Sequence, residues 1–153
     1  RDQAVPAADI ITPNQFELEY LAGRTITTIA DAVAAVDAIR ARGPRIVMVT
    51  SLVTEDTPAD AIDLLACGPN GRFRVRTPRL AVSVNGAGDA IAALFFVHAA
   101  ASGDEAFALS RAASSVFGLL RRTGEAGSRE ILTVAAQDEF VTPSRLFTAE
   151  PIA

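Results

Sequence analysis

The sequence predicts an α/β fold, and three observations carry that expectation. Two short apolar runs, Asp9–Thr12 and Ile46–Thr50, read as strands. Between them lie two helical stretches, closed by Gly23 and by Gly43-Pro44. A glycine turn, Asn85-Gly86-Ala87-Gly88-Asp89, then opens the apolar run Ile91–Val97. Strand, helix, helix, strand is the grammar of an α/β sheet.

Each element has a local cause. Asp9-Ile10-Ile11-Thr12 is stopped by Pro13-Asn14, so the strand ends in a turn. Gln15–Ala22 reads as a short helix. Thr28 caps the next one, with Asp31 three positions on, and Ile29, Val33, Val36 and Ile39 recur at helical spacing as far as Arg42. Ile46–Thr50 is β-branched and apolar on both faces, as a buried parallel strand is. Asp63–Cys67 and Phe73–Thr77 form a hairpin around Gly68-Pro69-Asn70-Gly71. A helix runs from Asp89 to about Ala101, Gly103 breaks it, and a second runs from Asp104 to Arg122. Thr123–Arg129 reads as a polar loop, and Glu130–Phe147 is ambiguous between short helix and extended chain.

Composition narrows the function classes. With 153 residues, 50% of them hydrophobic, the chain has the length of one domain and a core to match. A net charge of −4 argues against a nucleic-acid partner. No apolar run reaches membrane-spanning length, and the opening residues carry no secretion leader. Cys67 stands alone, so the expectation is a small buried hydrophobe in a reducing, cytoplasmic setting. The chain begins with Arg1 and enters a motif within ten residues, so it reads as the later part of a longer protein.

Three constellations could carry chemistry. Gly86-Ala87-Gly88 opens a helix, where free backbone N–H groups and the helix dipole attract an anion. Asp89 in the same turn is placed as a base beside a phosphate. Asn14-x-x-Glu17 follows the first strand, where α/β sheets bind ligands, and its carboxylate could hold magnesium through water. Thr50-Ser51 ends the second strand and could donate hydroxyls to phosphate. Each also has a plain structural reading, as a helix cap or a turn. His98 lies far along the helix from Asp89 and reads as a surface or packing histidine, and one histidine with one cysteine makes a zinc site a poor expectation.

Together these segments resemble the pyridoxal kinases of the ribokinase superfamily. The matching stretches are Ala8-Asp9-Ile10-Ile11-Thr12-Pro13-Asn14-Gln15-Phe16-Glu17, Gly43-Pro44 before the strand ending Val49-Thr50-Ser51, and Asn85-Gly86-Ala87-Gly88-Asp89. The tail Val134-Ala135-Ala136-Gln137-Asp138, followed by Pro143, is similar too. The resemblance implies a three-layer α/β/α fold with a mainly parallel sheet. Residues 1–153 would form the C-terminal part of a single such domain. Without the preceding half, the strands near residues 9 and 46 would carry unpaired edges.

It also implies roles. Asp89 would take the proton from the 5′-hydroxyl of pyridoxal, and the N–H groups of Gly86, Ala87 and Gly88 would stabilise the transferring phosphoryl group. Glu17, with Asn14, would organise Mg²⁺ through water. Thr12 would lie near the ATP phosphates or a monovalent cation, Thr50 and Ser51 would contact phosphate, and Thr77, Pro78, Arg79 and Leu80 would flank adenine. A homodimer is implied as well. The chain departs from some relatives in having Thr50 where they carry lysine and Ala87 where they carry valine or threonine. The glycine turn lacks the cysteine usual in hydroxymethylpyrimidine kinases, which favours pyridoxal. Two other readings stay open: a related kinase acting on a sugar or hydroxymethylpyrimidine, and a non-catalytic nucleotide-binding or dimerisation fragment.

Overall fold

The computed structural model describes residues 3–153; Arg1 lies outside the described residues. The helices are α1 (Ala4–Ala7), α2 (Gln15–Ala22), α3 (Ile29–Arg40), α4 (Ala87–Ser102), α5 (Glu105–Glu125) and α6 (Asp138–Val141). The strands are β1 (Ile10–Ile11), β2 (Ile46–Leu52), β3 (Ala61–Gly68), β4 (Gly71–Pro78) and β5 (Glu150–Pro151), paired in that order in one sheet.

Alternation along the central strands sets three layers. Val47 and Val49 of β2, with Leu65 and Cys67 of β3, pack on one face against Leu18 of α2 and Ala32, Val36 and Ile39 of α3. Met48, Leu64 and Ala66 point to the other face, against Ile91 and Phe95 of α4 and Leu109, Ala112 and Val116 of α5. Both faces are covered, which explains why β2 is apolar at successive positions rather than at alternate ones.

The α/β class and the helix layers follow the sequence expectation, and the strand pairing refines it. β1, β2 and β4 share one direction, yet only the β1–β2 ladder is parallel; β2–β3, β3–β4 and β4–β5 are antiparallel. The mainly parallel sheet therefore holds here for strand direction and not for the ladders. The edge expectation is corrected for residue 46: β2 is paired on both sides, to β1 and to β3, so β1 is the strand left at the edge.

Boundaries shift for physical reasons. The hairpin is longer than its apolar centre, running Ala61–Gly68 and Gly71–Pro78, because the Gly68–Gly71 pair closes directly on Pro69-Asn70. Asn70 Nδ2 anchors that turn, donating to Gly103 O and to Glu105 Oε2, each at 2.7 Å. The polar loop expected at Thr123 is a further turn of α5, which continues to Glu125. Thr123 is buried, its hydroxyl donating to Leu119 O at 2.7 Å and accepting from Leu132 N–H at 3.2 Å. The ambiguous tail lies along α5, its Phe147 and Ala149 N–H groups bonded to Ser114 and Ser110 Oγ, both at 2.9 Å.

The cap expected at Thr28 forms with both halves of a capping box. Its Asp31 carboxyl is held well below the usual range, first by the Thr28 N–H and hydroxyl and then by those of Thr27.

Candidate active site

The site begins where β2 is interrupted. Thr50 N–H donates to Pro13 O at 2.9 Å, and Asn14 and Thr50 form a parallel bridge that ties the start of α2 to this strand. The register against β3 slips between Val49 and Leu52, and Ser51 takes φ 53°, a left-handed conformation uncommon outside glycine. Thr50-Ser51 is therefore an irregularity inside β2, which runs on to Leu52, rather than the strand's end.

The start of α4 is built differently from the other long helices. Asn14, Thr28 and Asp104 cap α2, α3 and α5 with side-chain oxygens. Gly86 caps α4 with no side-chain hydrogen bond, at φ 89°. Ala90 N–H closes the first turn on Gly86 O at 3.0 Å. The N–H groups of Ala87, Gly88 and Asp89 consequently have no hydrogen-bond partner among the described residues, as the first turn of a helix requires when no side chain serves it.

Glycine is needed at 86 for two reasons: its φ is positive, and an added Cβ would stand 3.1 Å from Ile131 Cγ2. Residues 129–131 hold the turn from behind. Asn85 N–H donates to Arg129 O at 3.0 Å and Ile131 N–H to Asn85 O at 3.3 Å.

The α4 start divides two hollows. On one side Thr50, Ser51, Thr77, Ala87 and Gly88 line a cleft of about 130 Å³, floored by apolar side chains such as Ile62 and Ile91. On the other, Gly86 and Asp89 border an apolar hollow of about 660 Å³ with Ala93, Leu94, Val97 and Ile131. Asp89 is exposed at the rim.

The remaining predicted residues are placed nearby or outside. Asn14 shares a third hollow with Ser51, whereas Thr12 and Glu17 line a groove with Phe16 and Tyr20. Pro78, Arg79 and Leu80 do not line the cleft that Thr77 enters. Pro78 ends β4, Arg79 N–H donates to Asp60 O at 2.7 Å, and Leu80 packs against the α4–α5 core.

Asn14-x-x-Glu17 is a capping box. Asn14 Oδ1 accepts from Glu17 N–H and Glu17 Oε2 accepts from Asn14 N–H, both at 2.9 Å. The plain structural reading is thus satisfied, but it does not consume the carboxylate. Glu17 is exposed, and its Oε1 has no hydrogen-bond partner among the described residues. The cap fixes the orientation of a carboxylate with one oxygen free, which suits a water-mediated hold on a hard cation. Among the described residues no three His, Cys, Asp or Glu side chains group to hold an ion. An ion here would need water and ligand oxygens to complete its shell.

The family model of the pfkB carbohydrate kinases matches residues 2–125 of this chain. The chain belongs to the pfkB family. Within that family it is 58% identical to the pyridoxal kinase PdxY of Granulibacter bethesdensis, over 98% of this chain and 54% of that protein. The chain thus spans about half the length of the curated relatives it matches. The crystal structure of pyridoxal kinase from Trypanosoma brucei superposes with a TM-score of 0.85 at 26% identity, over 99% of this chain and 54% of that one. The Leishmania donovani pyridoxal kinase in complex with ADP gives a TM-score of 0.88 at 24% identity, over 99% and 54%.

Two other residues of this pfkB chain, His98 and Cys67, do not line the cleft of Thr50 and Ser51, although His98 lines the apolar hollow that Asp89 borders. His98 packs edge-on against Phe107, ring centroids 5.8 Å apart, and its pKa is pushed down by burial and then by Arg111. Cys67 of β3 is fully buried on the sheet face covered by α2 and α3, and burial pushes its thiol up to about 12, leaving it an unreactive core residue. His98 and Cys67 both follow the packing expectation.

Sequence reasoning missed Gln15, Asp63, Arg76 and Ile131. Gln15 Oε1 accepts from Val53 N–H at 2.9 Å and its Nε2 donates to Ile26 O at 3.2 Å. Asp63 is fully buried and bonded to Arg76 through both oxygens, at 2.7 and 2.8 Å. Asp63 opposite Arg76 in a hairpin was the one available signal.

Proposed function

We propose that the protein carrying this chain is an ATP-dependent pyridoxal kinase, transferring the γ-phosphoryl group to the 5′-hydroxyl of pyridoxal. The observation that carries the reading is the uncapped start of α4, set between two hollows with Asp89 on the far side from Thr50 and Ser51. An anion seated on Ala87 and Gly88 N–H groups would lie between a nucleotide arriving over Thr50-Ser51 and an alcohol arriving at Asp89. Pyridoxal as acceptor is supported by the similarity in sequence to pyridoxal kinases, and ATP by the ADP held in the Leishmania fold neighbour.

In this reading Asp89 accepts the hydroxyl proton as the oxygen attacks phosphorus. The N–H groups of Gly86, Ala87 and Gly88 meet the negative charge on the phosphoryl oxygens, with no reorganisation needed because the turn is pinned by residues 129–131. Thr50 and Ser51 donate to phosphate, and Thr77 lines the nucleotide cleft. Thr12, beside Glu17, stands near the phosphates or a monovalent cation, and Pro78, Arg79 and Leu80 back the adenine side. Glu17, oriented by Asn14, would hold Mg²⁺ through water; when bound, the ion neutralises phosphate charge. A homodimer, which the family resemblance implies, and a cytoplasmic setting, which the lone Cys67 fits, belong to the same proposal.

The test is turnover by the full-length protein with Mg-ATP and three acceptors. Pyridoxal is expected to be phosphorylated, with hydroxymethylpyrimidine and ribose at least about tenfold poorer in kcat/KM. A preference for either competitor would replace pyridoxal as substrate, and ATP binding with no acceptor turned over would make the chain a nucleotide-binding module.

A further inference from the structure

The geometry points to Gln15 as a positioning residue that holds the Thr50-Ser51 irregularity in the shape that meets ATP; the inference rests on the kinase reading above. Ser51 is the one non-glycine residue with positive φ among those described, and such a conformation persists only where its surroundings fix it. It is gripped from both sides. Before it, Thr50 N–H is bonded to Pro13 O. After it, at the first residue past β2, Val53 N–H is bonded to Gln15 Oε1 at 2.9 Å, across 38 positions of sequence. Ser51 also lines the hollow that Gln15 and Asn14 border, as well as the nucleotide cleft.

The other end of Gln15 makes a separate bond. Its Nε2 donates to Ile26 O, while Ile26 N–H donates to Glu19 Oε1 at 2.8 Å. That pair anchors the α2–α3 loop, which the Glu55 N–H to Thr27 O bond at 2.9 Å also ties to the segment after β2. Gln15 thus has a carbonyl oxygen serving the nucleotide cleft and an amide nitrogen serving the fold. Its neighbours Asn14 and Glu17 bond to each other in the capping box, and neither bonds to Val53.

The two ends can be separated in the full-length protein. Gln15→Leu removes both bonds. Gln15→Glu keeps an acceptor for Val53 N–H and loses the donor to Ile26 O. Gln15→Leu is expected to raise the KM for ATP about tenfold, leaving the KM for pyridoxal unchanged. Gln15→Glu is expected to stay within about threefold of wild type for ATP, although it too loses thermal stability with the bond to Ile26 O. An unchanged ATP KM in Gln15→Leu, equal ATP KM values in the two variants, or a joint rise of both KM values tracking stability would overturn the assignment.

The dissociation constant of Mg-ATP, measured by calorimetry, gives the same comparison without an acceptor. If wild type fails to phosphorylate pyridoxal but binds ATP, the functional reading falls and the role of Gln15 is still decided by that constant. Wild type that binds no ATP overturns both.

Discussion

Asp89→Asn in the full-length protein is expected to lower kcat for pyridoxal phosphorylation by about 10²–10⁴-fold, with ATP still bound. The amide has the carboxylate's shape, so the first turn of α4 and its free N–H groups are kept, and what disappears is the ability to take a proton. The loss falls on a step made only in the transition state, so kcat and kcat/KM drop together while the dissociation constant of ATP moves little. Steady-state kinetics beside calorimetry of ATP binding make the comparison. Equal rates in variant and wild type would remove Asp89 as the base.

The second large effect is on stability. Arg76→Met in the same protein is expected to cost about 3–5 kcal/mol, read from the midpoint of urea unfolding. Asp63 is fully buried, and with Arg76 gone its carboxylate would keep one neutral partner, the Thr57 hydroxyl at 2.9 Å. The charge pair also supports the cleft beside the start of α4. Ile62 and Thr77, which line it, are paired in the ladder next to Asp63 and Arg76. Thr57, held by Asp63, accepts from Thr54 N–H at 3.0 Å and so fixes the loop that leaves β2. A cost below about 1 kcal/mol would mean that the pair behaves as an exposed one.

What could be read in the sequence was what local chemistry dictates. Thr28 with Asp31, the apolar run of β2 and the hairpin turn each have a cause within a few residues, and each formed. Asn14 with Glu17 was readable in two ways, and the capping box shows that the readings are compatible, because capping uses one carboxylate oxygen.

The features that were not legible depend on distant partners. The shape at Ser51 is set by Pro13 and Gln15, and no periodicity in β2 announces it. The helix expected to end at Arg122 runs on through Gly124 to Glu125, and Val82 packs where a Cβ at Gly124 would stand. The hold on the glycine turn by Arg129 and Ile131 comes from a segment with neither helical nor strand pattern. Carboxylates buried against glycine, Glu105 at Gly68 and Glu139 at Gly118, likewise leave no local trace.

Phosphate is proposed to sit on the uncapped start of α4, and amide NMR of the full-length protein tests that placement. On addition of Mg-ATP, the N–H signals of Ala87, Gly88 and Asp89 are expected to shift and to gain protection from exchange, together with those of Thr50 and Ser51. Unmoved signals there, with shifts instead at Asn70, Gly103 and Glu105 around the polar hollow of about 350 Å³ that they line, would contradict it.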